Sequence, residues 1–336
     1  MKLLRYTLLL AALGAALVAC KKDKDEDEKE YLNGTLELDV PSFLFYGDQL
    51  NLEPTGVWRE NKNDTLLSYS WHDPFTNITD TLRLEEQPAT KGKTFTFKVS
   101  KDTLGTFSIS ASCWADGYYV KSAISQFTVV NPALGTGSLT GYDFLDAISK
   151  YTDTRDGNDY YYMTSGGLDW MIQNLAWKGA GVAYKESEAM SYIFGRYYDW
   201  DEAVSACPAG WRLPTDAEFV ALAQSGGGVP DVSGGDVASA AGAMMIDARF
   251  NGDKMWEFWA DVTITNATRF SAIPAGFVTG IPGEYNFKAL SYAMFWTADA
   301  KDANEAYTRY IYVDKPILFG GASSKSGLRA SVRCVR

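Results

Sequence analysis

Four cysteines, Cys20, Cys113, Cys207 and Cys334, and one histidine, His72, are the side chains of this 336-residue chain best suited to nucleophilic or metal chemistry. A single histidine leaves little room for a His-based triad or a His-rich metal site. No Gly-x-Ser-x-Gly supplies a nucleophile elbow, and Gly226-Gly227-Gly228 lacks the feeding strand and the Gly-Lys-[Ser/Thr] of a phosphate loop. The acidic pair Asp199 and Asp201 could serve glycoside hydrolysis, which needs two carboxylates at a set separation, but a solvated helix start explains them better. The expectation is therefore a protein without catalysis, cofactor or metal. Aromatic residues, 14% of the chain with 10 Trp and 20 Tyr, offer binding chemistry instead. Trp256, Trp259, Tyr285, Trp296, Tyr307 and Tyr310 are the candidates for stacking on a ligand; the competing role for each is to fill an irregular core. A net charge of -11 argues against a nucleic-acid partner held by phosphate contacts.

The elements that carry these residues begin at the N-terminus. Lys2 and Arg5 precede an apolar run from Leu8 to Ala19, too short to span a bilayer comfortably. The run ends Leu17-Val18-Ala19-Cys20, which resembles the lipobox of bacterial lipoproteins. That resemblance implies a signal peptide over 1–19, acylation of Cys20 and attachment to a membrane; more than one acyl chain gives stable anchoring. Ten consecutive charged residues, Lys21 to Glu30, read as a solvated tether over 20–33. An acidic cluster there resembles the surface-export signal of Bacteroidota lipoproteins. It implies an outer-membrane protein facing the cell exterior, with the lipid anchor its contact to the membrane.

Residues 34–131 read as β. Alternation runs through Thr35–Val40, Thr94–Val99 and Thr106–Ala111. Several short strands with regular turn chemistry suggest an antiparallel sandwich. Tyr69-Ser70-Trp71 is similar to the strand that carries the buried Trp of immunoglobulin-like and PKD-like domains, and Cys113 reads as a buried free thiol. Asp-Thr-Leu occurs at 64–66, 80–82 and 102–104. Asp and Thr close turns through side-chain-to-backbone hydrogen bonds. The triplet also resembles the O-glycosylation sequon of Bacteroidota secreted proteins, which implies Thr65, Thr81 and Thr103 as possible glycan sites. Residues 132–149, opening Asn131-Pro132-Ala133-Leu134-Gly135, read as a linker.

In 150–336, Thr215-Asp216-Ala217-Glu218 is a capping box that places Phe219, Leu222 and Ala223 on one apolar helix face. Asp199 with Glu202 is a second capping pair, for a helix that stops before Pro208. Asp156-Gly157-Asn158-Asp159-Tyr160, Leu168–Leu175, Cys207–Glu218, Phe295-Trp296-Thr297 and the closing Ser331-Val332-Arg333-Cys334-Val335 follow in order. Together they resemble the Fibrobacter succinogenes major paralogous domain. The resemblance implies an irregular α+β fold related to C-type-lectin-like and formylglycine-generating-enzyme modules, so the whole chain is a multidomain protein: an all-β Ig/PKD-like sandwich followed by that domain. The calcium-ligand triplets of sugar-binding C-type lectins are missing, so a glycan would be held by aromatic stacking and hydrogen bonds.

Cys207 and Cys334 are expected to pair, because a signal sequence sends the chain to an oxidising compartment. Pairing with Cys113, or two free thiols, are the alternatives. The functional expectation is a cell-surface, non-catalytic binding module for carbohydrate or another surface macromolecule. A structural or adhesive component that contacts surface proteins comes second, and a formylglycine-generating-enzyme-like or glycan-active enzyme third.

Overall fold

A computed structural model describes residues 29–63, 66–75, 94–100, 103–231 and 235–336. Residues 1–19, read as a signal peptide, and Cys20, Thr65 and Thr81 lie outside them. The chain is rich in β-structure, in several sheets, and divides into two compact units. The first comprises residues up to 40, 47–100 and 107–127; the second comprises 41–46, 101–106 and 128–336.

In the first unit, Asn33–Glu37 pairs with Thr55–Trp58, Gln49–Leu52 with Phe95–Lys98, and Ser68–His72 with the long strand Gly105–Trp114. The alternation read from the sequence is visible in burial: Ile109, Ala111 and Cys113 are fully buried along one strand. Trp71 departs from the expected buried Trp. It is half-buried and stacks on Phe95 at 5.1 Å, while Tyr69, on the same strand face, goes into the core. The physical reason is position: among the described residues Ser68–His72 is the edge strand of its sheet, with a neighbour on one side only, so part of the Trp71 ring stays open. The Cys113 thiol is buried and pushed up to about 11, first by burial, so it stays protonated and unreactive at neutral pH.

The second unit is organised on one large sheet. Its order runs Val182–Ala183, Arg196–Tyr198, Leu328–Ser331, Tyr292–Ala300, Glu305–Tyr312, Ile317–Ser324, Val237–Ala238, Val229–Pro230. The strand Phe277–Thr279 joins through Leu328–Ser331 and carries Asn286–Lys288 with it. Helix α1 (Glu188–Phe194), α2 (Trp200–Ala206) and α3 (Asp216–Ser225) form where the caps allow. Both capping boxes close: Asp199 with Glu202 on α2, and Thr215 with Glu218 on α3. Each cap contributes roughly 1 kcal/mol. On α3 the expected face is buried, with Phe219, Leu222 and Ala223 packed against Trp170, Phe270, Phe295, Ile311 and Leu318. The Arg212 guanidinium grips Glu218 through two hydrogen bonds, at 2.8 and 2.6 Å, and holds its carboxyl below the usual range.

Residues 132–149, read as a linker, are packed. Leu139–Thr140 is a strand against Arg249–Phe250, and Leu139 and Tyr142 are buried. The turn chemistry of Pro132, Gly135 and Gly137 is real; the apolar side chains between those turns hold the segment down. The last strand covers Leu328–Ser331, so the closing motif lies mostly beyond it, and Val335 bridges singly to Trp170 and Arg212.

Candidate functional site

The motif residues of the second unit form its framework. Cys207 and Cys334 are joined by a disulfide across a sequence separation of 127, with Cα atoms 5.8 Å apart. Next to it, Arg333 is fully buried. Its Nε donates to Asn174 Oδ1 at 2.7 Å, Nη1 donates to the carbonyls of Met171 and Phe270, and Nη2 donates to that of Ser271. The guanidinium also lies 4.6 Å from the Phe270 ring centre. One side chain thus ties three separate segments together. Asn174 is held in turn by Gly195, whose φ of +74° and closeness to Asn174 Cβ (2.4 Å for an added Cβ) admit no larger residue. Asp199, one of the acidic pair, caps α2 and pairs with Arg329 at 3.1 Å.

The six candidate aromatics do not form one site. Trp256 and Trp296 are core residues, 2% and 0% exposed, whose indole N–H groups donate to the carbonyls of Ala272 and Tyr198. They are withdrawn as ligand contacts, because a buried indole with a satisfied N–H presents nothing to a ligand. Trp259 is 43% exposed beside Phe258, which is 83% exposed. Tyr285 packs on Phe287 with Arg329 at 6.0 Å from its ring. Tyr307 and Tyr310 lie on the same strand three residues apart, and alternation sends them to opposite faces of the sheet.

Tyr310 is different, because the sheet adds partners that sequence reasoning missed. The register sets Tyr292 opposite Tyr312 and Tyr310 opposite Phe319. Tyr310 stacks on Phe319 at 5.3 Å with the planes 10° apart, and Tyr312 meets both at 5.5 and 5.6 Å. Tyr292 follows at 5.3 Å from Tyr312, and Phe277 at 5.2 Å from Tyr292. Five rings from four strands therefore form a continuous strip on one sheet face. Its members are half-buried except Tyr312, which is 41% exposed. Gly321 makes room for it: a Cβ there would meet the Tyr310 ring at 3.2 Å. Burial pushes the Tyr292 hydroxyl up to about 12, with Tyr312 beside it adding to the shift, and raises Tyr310 likewise. These phenols stay neutral at physiological pH and can both donate and accept hydrogen bonds. The alternation of Tyr310 and Tyr312 was the one sequence signal for the strip.

Thr103 is exposed, outside any strand. His72 is the exposed last residue of its strand. Among the described residues, no three His, Cys, Asp or Glu side chains converge as a metal site, and no helix is long and apolar enough to cross a membrane.

Residues 150–336, more than half of the chain, match the family described as the Fibrobacter succinogenes major domain. The chain belongs to this family. No curated protein matches it. The major domain starts at Lys150, on the strand Ser149–Thr152, whereas the compact unit that contains it also takes in Leu139 and Tyr142 from the preceding segment. Within the major domain, the disulfide, the Arg333 hub and both capping boxes are framework, and the aromatic strip lies partly open on a sheet face.

Proposed function

We propose that the protein is a lipid-anchored outer-membrane protein, exposed on the cell exterior, that binds carbohydrate without catalysis. In this reading Cys20 carries the lipid, the first unit is an Ig/PKD-like spacer, and the second is a C-type-lectin-like module. The observation that carries the binding assignment is the strip Phe277–Tyr292–Tyr312–Phe319–Tyr310. Sugar rings present apolar C–H faces and a hydroxyl rim; the near-parallel Tyr310 and Phe319 rings, with the tilted rings and phenol hydroxyls of Tyr312 and Tyr292 beside them, offer partners for both. Rigid strands keep the strip in place before a ligand arrives, which lowers the ordering loss on binding.

The test is a glycan-array screen of the mature protein beside its Tyr312→Ala variant. Binding to a polysaccharide that falls at least tenfold in the variant supports the proposal. Absence of glycan binding, together with co-purification of a protein partner, would favour the adhesive reading. That second reading draws on Phe258 and Trp259, adjacent apolar side chains that stand open to solvent.

A further inference from the structure

A cleft of about 660 Å³ opens in the second unit, between the packed 131–142 segment and the family domain. Its size is that of ligand sites rather than of packing defects. Two of its lining residues have unspent hydrogen-bonding capacity. Tyr142 is 3% exposed, and its hydroxyl makes no hydrogen bond among the described residues; it is not one of the sealed, unpaired polar atoms, which are Trp211 Nε1 and Asn251 Oδ1, so it opens onto the cleft. Arg333, also in the lining, has five N–H donors and uses four, leaving one on Nη2. It is fully buried and meets only neutral oxygens and rings; no carboxylate pairs with it among the described residues. A buried cation without a counter-ion is the arrangement that proteins otherwise avoid.

Tyr142 and Arg333 both line this cleft. Burial lowers the guanidinium to about 9, so it remains cationic at neutral pH. One O–H and one N–H beside a positive charge match the two oxygens of a carboxylate. The rest of the lining narrows the choice further. Asp156 and Asp159 belong to it, and a dianionic phosphate would meet more repulsion from them than a monoanion does. The same carboxylates, with the rings of Tyr161 and Tyr192 in the lining, suit the hydroxyls and C–H faces of a sugar.

We propose that this cleft binds an acidic sugar, its carboxylate received by Tyr142 and Arg333. The site is separate from the aromatic strip and does not depend on the function proposed for it.

The experiment uses the mature protein and isothermal titration with galacturonate, glucuronate and N-acetylneuraminate. Galactose and glucose serve as neutral counterparts, and acetate as a bare carboxylate. Arg333 variants would lose four framework hydrogen bonds, so the variant of choice is Tyr142→Phe, which removes only an unpartnered hydroxyl. At least one acidic sugar should bind ten times more tightly than its neutral counterpart and than acetate. Tyr142→Phe should weaken it about tenfold without lowering the melting temperature, and Tyr312→Ala should leave it unchanged. The proposal is overturned if no acidic sugar outbinds its neutral counterpart, if acetate binds as well, or if Tyr142→Phe binds as the parent does.

Discussion

In the first unit the aromatic side chains close on one another; in the second a row of them stays open on a sheet face. Phe75, Phe97, Phe107 and Phe127 meet at ring distances from 4.9 to 6.0 Å, and Phe97 and Phe127 are 0% and 1% exposed. The strip of the second unit has the same spacing, but three of its five members are tyrosines. A phenylalanine ring loses nothing by complete burial, whereas a phenol must keep a partner or reach water. The fully buried tyrosines obey the same rule: Tyr197 donates to the Ala275 carbonyl at 2.7 Å and Tyr198 to that of Trp177 at 3.0 Å. Equal density of rings thus serves cohesion in one unit and presentation in the other.

The largest test of this contrast is chemical. Replacing Cys207 and Cys334 by Ser should destabilise the second unit by about 5 kcal/mol in the chain-entropy account of a loop this long. The first unit, with only Cys113, should melt as before; two-transition calorimetry reads both. If both transitions shift together, the units are not thermodynamically distinct. Next in size, Phe97→Ala should lower the stability of the first unit by about 3–4 kcal/mol through loss of buried area and the cavity left behind. The glycan binding proposed for the second unit should survive it.

Alkaline titration gives a smaller and more general effect. Burial pushes the hydroxyls of Tyr69 in the first unit and Tyr142 and Tyr292 in the second up to about 12, above the ordinary value of 10.0. The folded state keeps protons that the unfolded chain releases. The resulting stability is fully present below pH 10 and is lost as pH rises towards 12. Tyrosinate absorbance should show phenols that ionise only as ellipticity is lost; complete ionisation of a still-folded protein would contradict their burial. Smallest in stability is Tyr312→Ala, which removes a cross-strand pair and should change the second unit by under about 1 kcal/mol. Its effect belongs to binding, and a large drop in melting temperature would turn the strip from a surface into a core.

The sequence and the structure agree where a signal is local. Thr215 with Glu218, and Asp199 with Glu202, are read from a three-residue spacing, and both caps close. The Cys207–Cys334 bond, expected on the reading of an exported chain with few cysteines to pair, is present. The strip was not legible, because Phe277, Tyr292, Phe319 and the Tyr310–Tyr312 pair become neighbours only through strand register. Trp256 and Trp296 misled for a related reason: what decides between core and surface is a distant carbonyl that accepts the indole N–H. Leu139 and Tyr142 were hidden among turn residues, and so was the cleft they help to line.

The Cys207–Cys334 bond also bears on endurance. Phe258 and Trp259 stand exposed on the loop of chain that this bond closes, an obvious target for an aromatic-directed protease. Scission there would break one peptide bond but leave both pieces covalently joined through sulfur. The strip draws on residues 277–319, all on the C-terminal side of such a cut, and the sheet they belong to also takes in Arg196–Tyr198 from the other side. A molecule cut at that loop would run as two fragments after reduction and as one before it, with its tyrosine face still assembled.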